Sequence, residues 1–200
     1  MRLFKLLCVL GCTACMLTTC ENDQDQLMEN QLTETNYQKN SSKTVEVPYK
    51  ANYHTSQADD AFSQLCSSNS PTDFWGQDHQ LGYGNATHLG NFTVDLEFCF
   101  HVVLDSEGQP DFDAGFGEFS GADNILEANS GDLLFTTSSG SQLIPIQDEN
   151  YVFEFENHLT VTGGTGKFEN ATGEIINYGM VRNDGSGTDH HQEGTLILVK

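Results

Sequence analysis

From Thr44 onward, apolar residues recur mostly at every second position. Val45, Val47, Tyr49, Ala51 and Tyr53 alternate with Glu46, Pro48, Lys50, Asn52 and His54, the period of a strand with one buried face. Pro48 offers no N–H to a ladder, which predicts an edge or an irregularity at that point. A second long strand carries Val94, Leu96, Phe98, Phe100 and Val102 on one face and Asp95, Glu97, Cys99, His101 and Val103 on the other. Asp105–Gly108 reads as its turn. Further strands are expected at Phe116–Gly121, Ile125–Ala128, Asp132–Ser138, Tyr151–Thr162, Gly173–Asn183 and His191–Val199, separated by Gly, Asn and Ser. Asp59–Cys66 is read as one or two helical turns and Ser67–Gly84 as a long loop. No other stretch has a helical period. Several short strands without crossover helices predict an all-β antiparallel sandwich or barrel. With about eight strands, closure removes exposed edges and leaves room for side chains or one small ligand, so the barrel is favoured.

The segment before this body has a different character. In Met1–Thr19, Arg2 and Lys5 precede a mostly apolar run from Leu6 to Leu17, as in a secretory signal. The run is shorter than the about 20 residues of a membrane-spanning helix. Polarity then switches at Cys20-Glu21-Asn22-Asp23. Leu17-Thr18-Thr19-Cys20 resembles the lipobox of bacterial lipoproteins, in which cleavage before the Cys is coupled to its acylation. Thr19 departs from the usual Gly, Ala or Ser, which leaves Cys15 as a rival and Cys12 as a weaker one. Cysteine pairing favours Cys20, because cleavage there leaves Cys66 and Cys99 as an even pair of unmodified thiols. The expected partition is residues 1–19 as signal, 20–43 as acylated Cys and disordered tether, and 44–200 as the barrel. The tether is rich in Asn, Gln, Thr, Glu and Asp, too polar to offset its ordering entropy. The expected location is a bacterial outer membrane or the cell surface, with the membrane engaged through the lipid.

Charge narrows the partners. Eight Lys and Arg oppose 29 Asp and Glu in 200 residues, a net charge of −21. Loss of Arg2 and Lys5 with the signal would leave six basic residues and a net charge of −23. Nucleic acid is excluded as a direct partner, since phosphate binding needs a basic footprint. With 37% hydrophobic residues, the chain can still build a core.

The most informative motif runs from His158 to Ile176 and contains Gly163-Gly164-Thr165-Gly166-Lys167-Phe168 followed by Ala171 and Gly173. Its glycines permit a strand to end and reverse, Phe168 can turn inward as a plug, and Ala171 and Gly173 allow a close approach of the next strand. A phosphate-binding loop is excluded. Walker A would require Gly at position 161 and Ser or Thr at 168, where Val161 and Phe168 stand. A GxGxxG reading counted from Gly164 meets Glu169. The run closely resembles the Gly-Gly-Thr-Gly-x-Phe-x-x-Ala-x-Gly hairpin of dirigent proteins and allene oxide cyclases. Thr87–Thr93 and Asn129–Phe135 look similar to the same families. The resemblance spans roughly Gly84–Val199. It implies an eight-stranded antiparallel barrel with a calycin-like cavity, often trimeric, but supplies no catalytic set to transfer.

Candidate chemistry is sparse. Cys66 and Cys99 are expected to form a disulfide, the alternative being a thiol nucleophile with His101 two residues away. Asp95, Glu97 and His101 share a strand face that is read as solvated if the aromatic face points inward, rather than as metal ligands or an acid–base pair. Asp189, His190 and His191 make a poor chelate because consecutive strand residues point opposite ways. Asp105–Asp113 has acids suited to calcium but not the EF-hand spacing, so a hairpin is expected. No catalytic residue, metal or cofactor is assigned. The expected function is a non-catalytic binding or surface-interaction module for a small apolar molecule, a protein or a glycan. The alternative is an isomerase- or cyclase-like enzyme acting on a small apolar substrate in the cavity.

Overall fold

The structure, a computed structural model, describes residues 43–200. The signal segment, Cys20 and all but the last residue of the tether lie outside the described residues. Twelve strands are present among those described. They are β1 (Thr44–Gln57), β2 (Leu65–Ser70), β3 (Asp73–Ala86), β4 (Gly90–Val103), β5 (Glu118–Ser120) and β6 (Asp123–Ala128). The chain continues through β7 (Leu133–Ser138), β8 (Gly140–Gln142), β9 (Ile144–Pro145), β10 (Tyr151–Gly164), β11 (Thr172–Arg182) and β12 (Thr188–Val199). Eight of them close a ring in the order β3-β1-β12-β11-β10-β7-β6-β4, with β4 returning to β3. Every pairing is antiparallel. The expected eight-stranded antiparallel barrel is therefore the observed architecture, and the short strands β2, β5, β8 and β9 elaborate one end of it.

The alternation in β1 is as expected: Tyr49, Ala51 and Tyr53 are buried while Pro48, Lys50 and Asn52 are exposed. Pro48 pairs with Thr195 on one side only, because the β1–β3 ladder spans Ala51–Gln57. Lys50 N–H points to Thr87 Oγ1 at 2.9 Å. By parity the ring nitrogen of Pro48 faces the same side, beyond the end of β3, so no ladder bond is lost.

Two segments differ from expectation. Asp59–Phe62 forms tight turns rather than helix, closed by Ala61 N–H to Ala58 O and Ser63 N–H to Asp60 O, and Cys66 already lies in β2. Ser67–Gly84 is not a loop but most of β2 and β3, the latter being paired with β4 over its whole length. Its inward positions are Gly76, Asp78, Gln80, Gly82 and Gly84, while Leu81 and Tyr83 are exposed. The pattern is inside out relative to an ordinary half-buried strand, which is why it reads as a loop.

One end of the barrel is closed by packing. Tyr49, Phe92, Leu134, Phe168, Ile175 and Leu196 are fully buried there. Phe168 is delivered by a single 3-10 turn, Gly166–Phe168, between β10 and β11. Gly166 sits at φ +57 against Asp132, and a Cβ at Gly164 would strike Leu133 O and the Phe168 side chain. A side chain at Gly164 would displace the plug, and one at Gly166 would need a left-handed backbone and displace Asp132. Gly163 occupies the bulge where the β10–β7 register shifts, Ala171 is buried, and Gly173 lies against the Thr195–Leu196 backbone. The hairpin thus works as a stopper, in the role its sequence suggested.

At the opposite end the Cys66–Cys99 disulfide, with Cα atoms 6.2 Å apart, ties β2 to the outer face of β4 with β3 between them in strand order. The expected pairing holds, and no thiol remains at either position to act as a nucleophile. The closed loop spans 33 residues, for which chain entropy gives about 3–4 kcal/mol. Replacing both cysteines by Ser is expected to lower urea-unfolding stability by about that amount. An unchanged midpoint, or free thiols at both positions by mass spectrometry of the native protein, would contradict the assignment.

Candidate functional site

Each long strand changes its interior chemistry partway along. Near the plug, β1 turns Tyr49 and Ala51 inward, β12 Leu196, β11 Ile175 and β10 Leu159 and Val161. Toward the open end the same inward phase continues as Tyr53 and Thr55 in β1, Gln192, His190 and Thr188 in β12, Asn177 in β11 and Asn157 in β10. The polar stretch surrounds a cavity of about 260 Å³ rather than a packed core.

The cavity has two unlike walls. Phenylalanines form one, meeting mostly edge-on. Phe62, Phe100, Phe116 and Phe153 line the cavity, and Phe112, outside the lining, joins Phe116 to Phe153, the successive centroid separations being 6.1, 5.8, 5.1 and 5.7 Å. Phe98, Phe119 and Phe155 make a second string at 5.8 and 5.1 Å. This places the apolar face of β4 inside, as its alternation predicts.

The other wall is polar, and a hydrogen-bonded chain runs along it. Asp78 is 4% exposed and receives Gln80 Nε2 at 2.8 Å and Gln57 Nε2 at 3.3 Å. An ionised carboxylate can only accept, so Gln80 must turn its NH₂ to Asp78 and its oxygen to Thr55. Thr55 then donates to that oxygen at 2.8 Å. Its hydroxyl proton being used, Thr55 Oγ1 accepts from His190 Nε2 at 3.0 Å. His190 Nδ1 is left to accept from Asn177 Nδ2 at 3.4 Å, and the same amide group donates to Asn157 Oδ1 at 3.1 Å. Asn177 Oδ1 receives Tyr53 O–H at 3.3 Å, Tyr53 Oη receives Gln192 Nε2 at 3.1 Å, and Gln192 Oε1 receives Tyr49 O–H at 3.4 Å. Donors therefore point one way, from the plug to Asp78.

Burial sets the protonation states along this chain. It pushes the His190 imidazole down to about 3, so the ring is neutral, stacked on Tyr53 at 4.3 Å. It pushes the Tyr53 and Tyr49 phenols up. Burial also raises the Asp78 carboxyl above its ordinary value, against the lowering by the Gln80 and Gln57 donors. Among the described residues, Asp78 is the only carboxylate lining the cavity, and no Lys or Arg lines it.

The other sequence candidates separate. Asp95 is exposed and pairs with His79 Nε2 at 3.0 Å, while Asp60 holds His79 Nδ1 at 2.6 Å. Glu97 accepts from Gln77 at 3.2 Å. His101 departs from the solvated-face expectation. It is buried, with Nε2 on Asp73 at 2.8 Å and Trp75 stacked on it at 4.5 Å, and the Phe112–Gly117 turn adjoins it through Gly117 N–H to His101 O. Asp189 and His191 face outward, Asp189 taking His54 at 2.7 Å and both Tyr151 and Arg182 at 2.9 Å. His190 between them is inside. Asp105 receives Glu107 and Gln109 N–H, both at 2.8 Å, as a hairpin turn requires. No group of three or more His, Cys, Asp or Glu side chains is arranged to hold a metal among the described residues.

The site residues that sequence reading missed were Asp78, Gln80, Thr55, Asn157, Asn177, His190 and Gln192. A usable signal existed in the strand phase. Counting back by two from Leu198 and Leu196 passes Gly194 and reaches Gln192, His190 and Thr188, and counting forward from Tyr53 reaches Thr55 and Gln57.

The neutral buried imidazole has a measurable consequence. Below pH 6.5 the unfolded chain takes up a proton at His190 that the folded chain refuses until about pH 3. Stability from this group is therefore lost as pH falls through that window. Urea unfolding of His190→Gln is expected to show a slope against pH shallower by up to about 1.4 kcal/mol per unit between those limits. Parallel slopes in variant and parent would show that His190 is not held neutral.

Comparison with models of known protein families, with curated proteins and with solved structures finds no match.

Proposed function

We propose that this chain is an exported, lipid-anchored barrel that binds a small molecule with an apolar body and a polar head. The observation that carries the reading is the two-walled cavity of about 260 Å³, phenylalanine on one side and a hydrogen-bonded polar wall on the other. It lies just below the about 300–1,000 Å³ of typical ligand pockets, suiting a ligand of one or two rings or a short chain. The plug closes one end, so a ligand enters and leaves through the phenylalanine-lined mouth. The apolar segment before Cys20 and the lipobox-like residues support attachment to a bacterial membrane. The acidic body disfavours lying flat on anionic lipid.

A second reading, an isomerase- or cyclase-like enzyme, rests on Asp78. A buried carboxyl with a raised pKa, in a cavity lined by phenylalanine, is suited to take a proton from one atom of a bound substrate and return it to another. Recovery of an extracted ligand unchanged after prolonged incubation favours binding, and recovery of an isomer favours the enzyme.

Purified protein is expected to release a small organic molecule on solvent extraction and to bind the neutral fluorophore N-phenylnaphthylamine. Ala122→Trp, which fills the cavity from the loop before β6, is expected to weaken that binding at least about tenfold. Absence of both the extract and the fluorescence change would sink the reading. For the anchor, incorporation of labelled palmitate is expected to be lost in Cys20→Ala. Persistent labelling would reassign the acyl group to Cys15.

A further inference from the structure

The cavity contains an electrostatic imbalance. Asp78 is buried and opens onto the cavity, and among the described residues no Lys or Arg lines that cavity to pair with it. Its side-chain partners are two neutral amides, Gln57 and Gln80, one on each oxygen, while the neighbouring His79 eases the charge more weakly through its backbone N–H and from the outer face of β3. A carboxylate offers about four such positions, so acceptor capacity remains. The chain from Tyr49 to Gln80 brings only donor dipoles toward Asp78, easing the burial of its charge without neutralising it. A buried carboxylate without a counter-charge is costly, and a ligand cation is the missing partner.

The remaining surroundings favour the same sign. Phenylalanine faces attract an ammonium through their ring quadrupoles, and Phe98, Phe100, Phe119, Phe153 and Phe155 line the same cavity, Phe98 being the register partner of Asp78 across β3 and β4. The net charge of −21 favours cations over anions around the protein as a whole. An anionic ligand would meet Asp78 with no Lys or Arg among the described lining residues to receive it.

Resting on the reading of the cavity as a ligand site, we propose that its natural ligand is an organic amine, whose ammonium group docks on the Asp78 carboxylate while its apolar body lies against the phenylalanines. The amine donates into the acceptor positions that Gln57 and Gln80 leave free. Deep burial of Asp78 is tolerated in the empty barrel because the amides partly solvate it. Ligand binding then supplies the charge that the chain omits.

The test uses the full chain and three probes of one shape: naphthylmethylamine, naphthylmethanol and naphthoic acid, with affinities measured by calorimetry at pH 7. The amine is expected to bind at least about tenfold more tightly than the alcohol, and the acid not at all. In Asp78→Asn the preference for amine over alcohol is expected to vanish, the readout being the ratio of the two affinities within each protein. The variant is expected to melt higher than the parent in the empty state, because a buried charge has been replaced by a neutral isostere. That melting temperature also reports that it folds. A measurement without any substitution is the pH dependence in the parent. Amine affinity is expected to be full above the titration of Asp78 and to fall toward tenfold per pH unit below it, while the alcohol stays level. The titratable groups around Asp78 are His79, next to it on the outer face of β3 with its partners Asp60 and Asp95, and His190 and Tyr53 on the cavity wall. Of these, His79 titrates outside the barrel, and its Asp60 hydrogen bond raises its pKa. Equal binding of amine and alcohol in the parent, or an amine preference surviving in Asp78→Asn, would overturn the amine assignment and leave a neutral-ligand site. If none of the three probes binds, the ligand-site reading itself falls, and the amine proposal with it.

Discussion

The interior of this barrel is organised by one acceptor-only group. Asp78 can receive hydrogen bonds but, as a carboxylate, cannot donate one, and that asymmetry propagates across four strands. It fixes the amide of Gln80, which commits the hydroxyl of Thr55, which assigns the proton of His190 to Nε2. The unprotonated Nδ1 orients Asn177, and so on through Tyr53 and Gln192 to Tyr49 in the plug. Neutral amides and hydroxyls alone would allow the chain to run either way. With a carboxylate at one end the reverse direction would turn the Gln80 amide oxygen onto Asp78, acceptor against acceptor, so a single arrangement survives. The barrel thereby presents a fixed set of dipoles to whatever enters it.

Such an interior is only affordable because the two ends of the barrel divide the work. The plug end buries Tyr49, Phe92, Leu134, Phe168, Ile175 and Leu196 completely, each contributing about 1.5–3 kcal/mol. The open end spends stability on a wall of polar groups and an unfilled volume. There the ring is reinforced from outside by the Cys66–Cys99 bridge and by His101 held between Trp75 and Asp73. Rigidity at the mouth comes from covalent and polar ties on the outer face, which leaves the inner face free to stay open.

This division also explains what was legible in the sequence. Where the inward residues are apolar, as in β1 up to Tyr53, most of β4 and the plug hairpin, period-two alternation located the strands and their faces. In β3, glycine and polar residues point inward while Leu81 and Tyr83 point out, and the segment reads as a loop. The start of β12 is polar on both faces, so parity set His190 and His191 on opposite sides without showing which of them lay inside. Polar residues are ordinarily assigned to the solvent side, and a cavity reverses that assignment. The site was hidden by the same feature that makes it a site. Strand phase carried from the apolar half of each strand would have exposed it, because side-chain direction depends on parity and not on hydrophobicity.

Charge acts on this protein at two ranges. On the outer surface so few bases are present that histidines serve as partners for the acids, as in Asp60–His79–Asp95 and His54–Asp189, with Arg182 and Lys50 supplying fixed positive charge at Asp189 and Glu193. Salt screens such exposed charge over about 8 Å at physiological ionic strength, so the surface excess biases which small ions gather around the protein but does not position them. Inside, phenylalanine walls lower the local polarity, and a single carboxylate acts with far less screening. The surface therefore sets the local concentration of cations, and Asp78 sets their orientation. A ligand matched to both must be positive at one end and apolar along the rest. Neither the surface excess nor the buried acid alone would impose that combination.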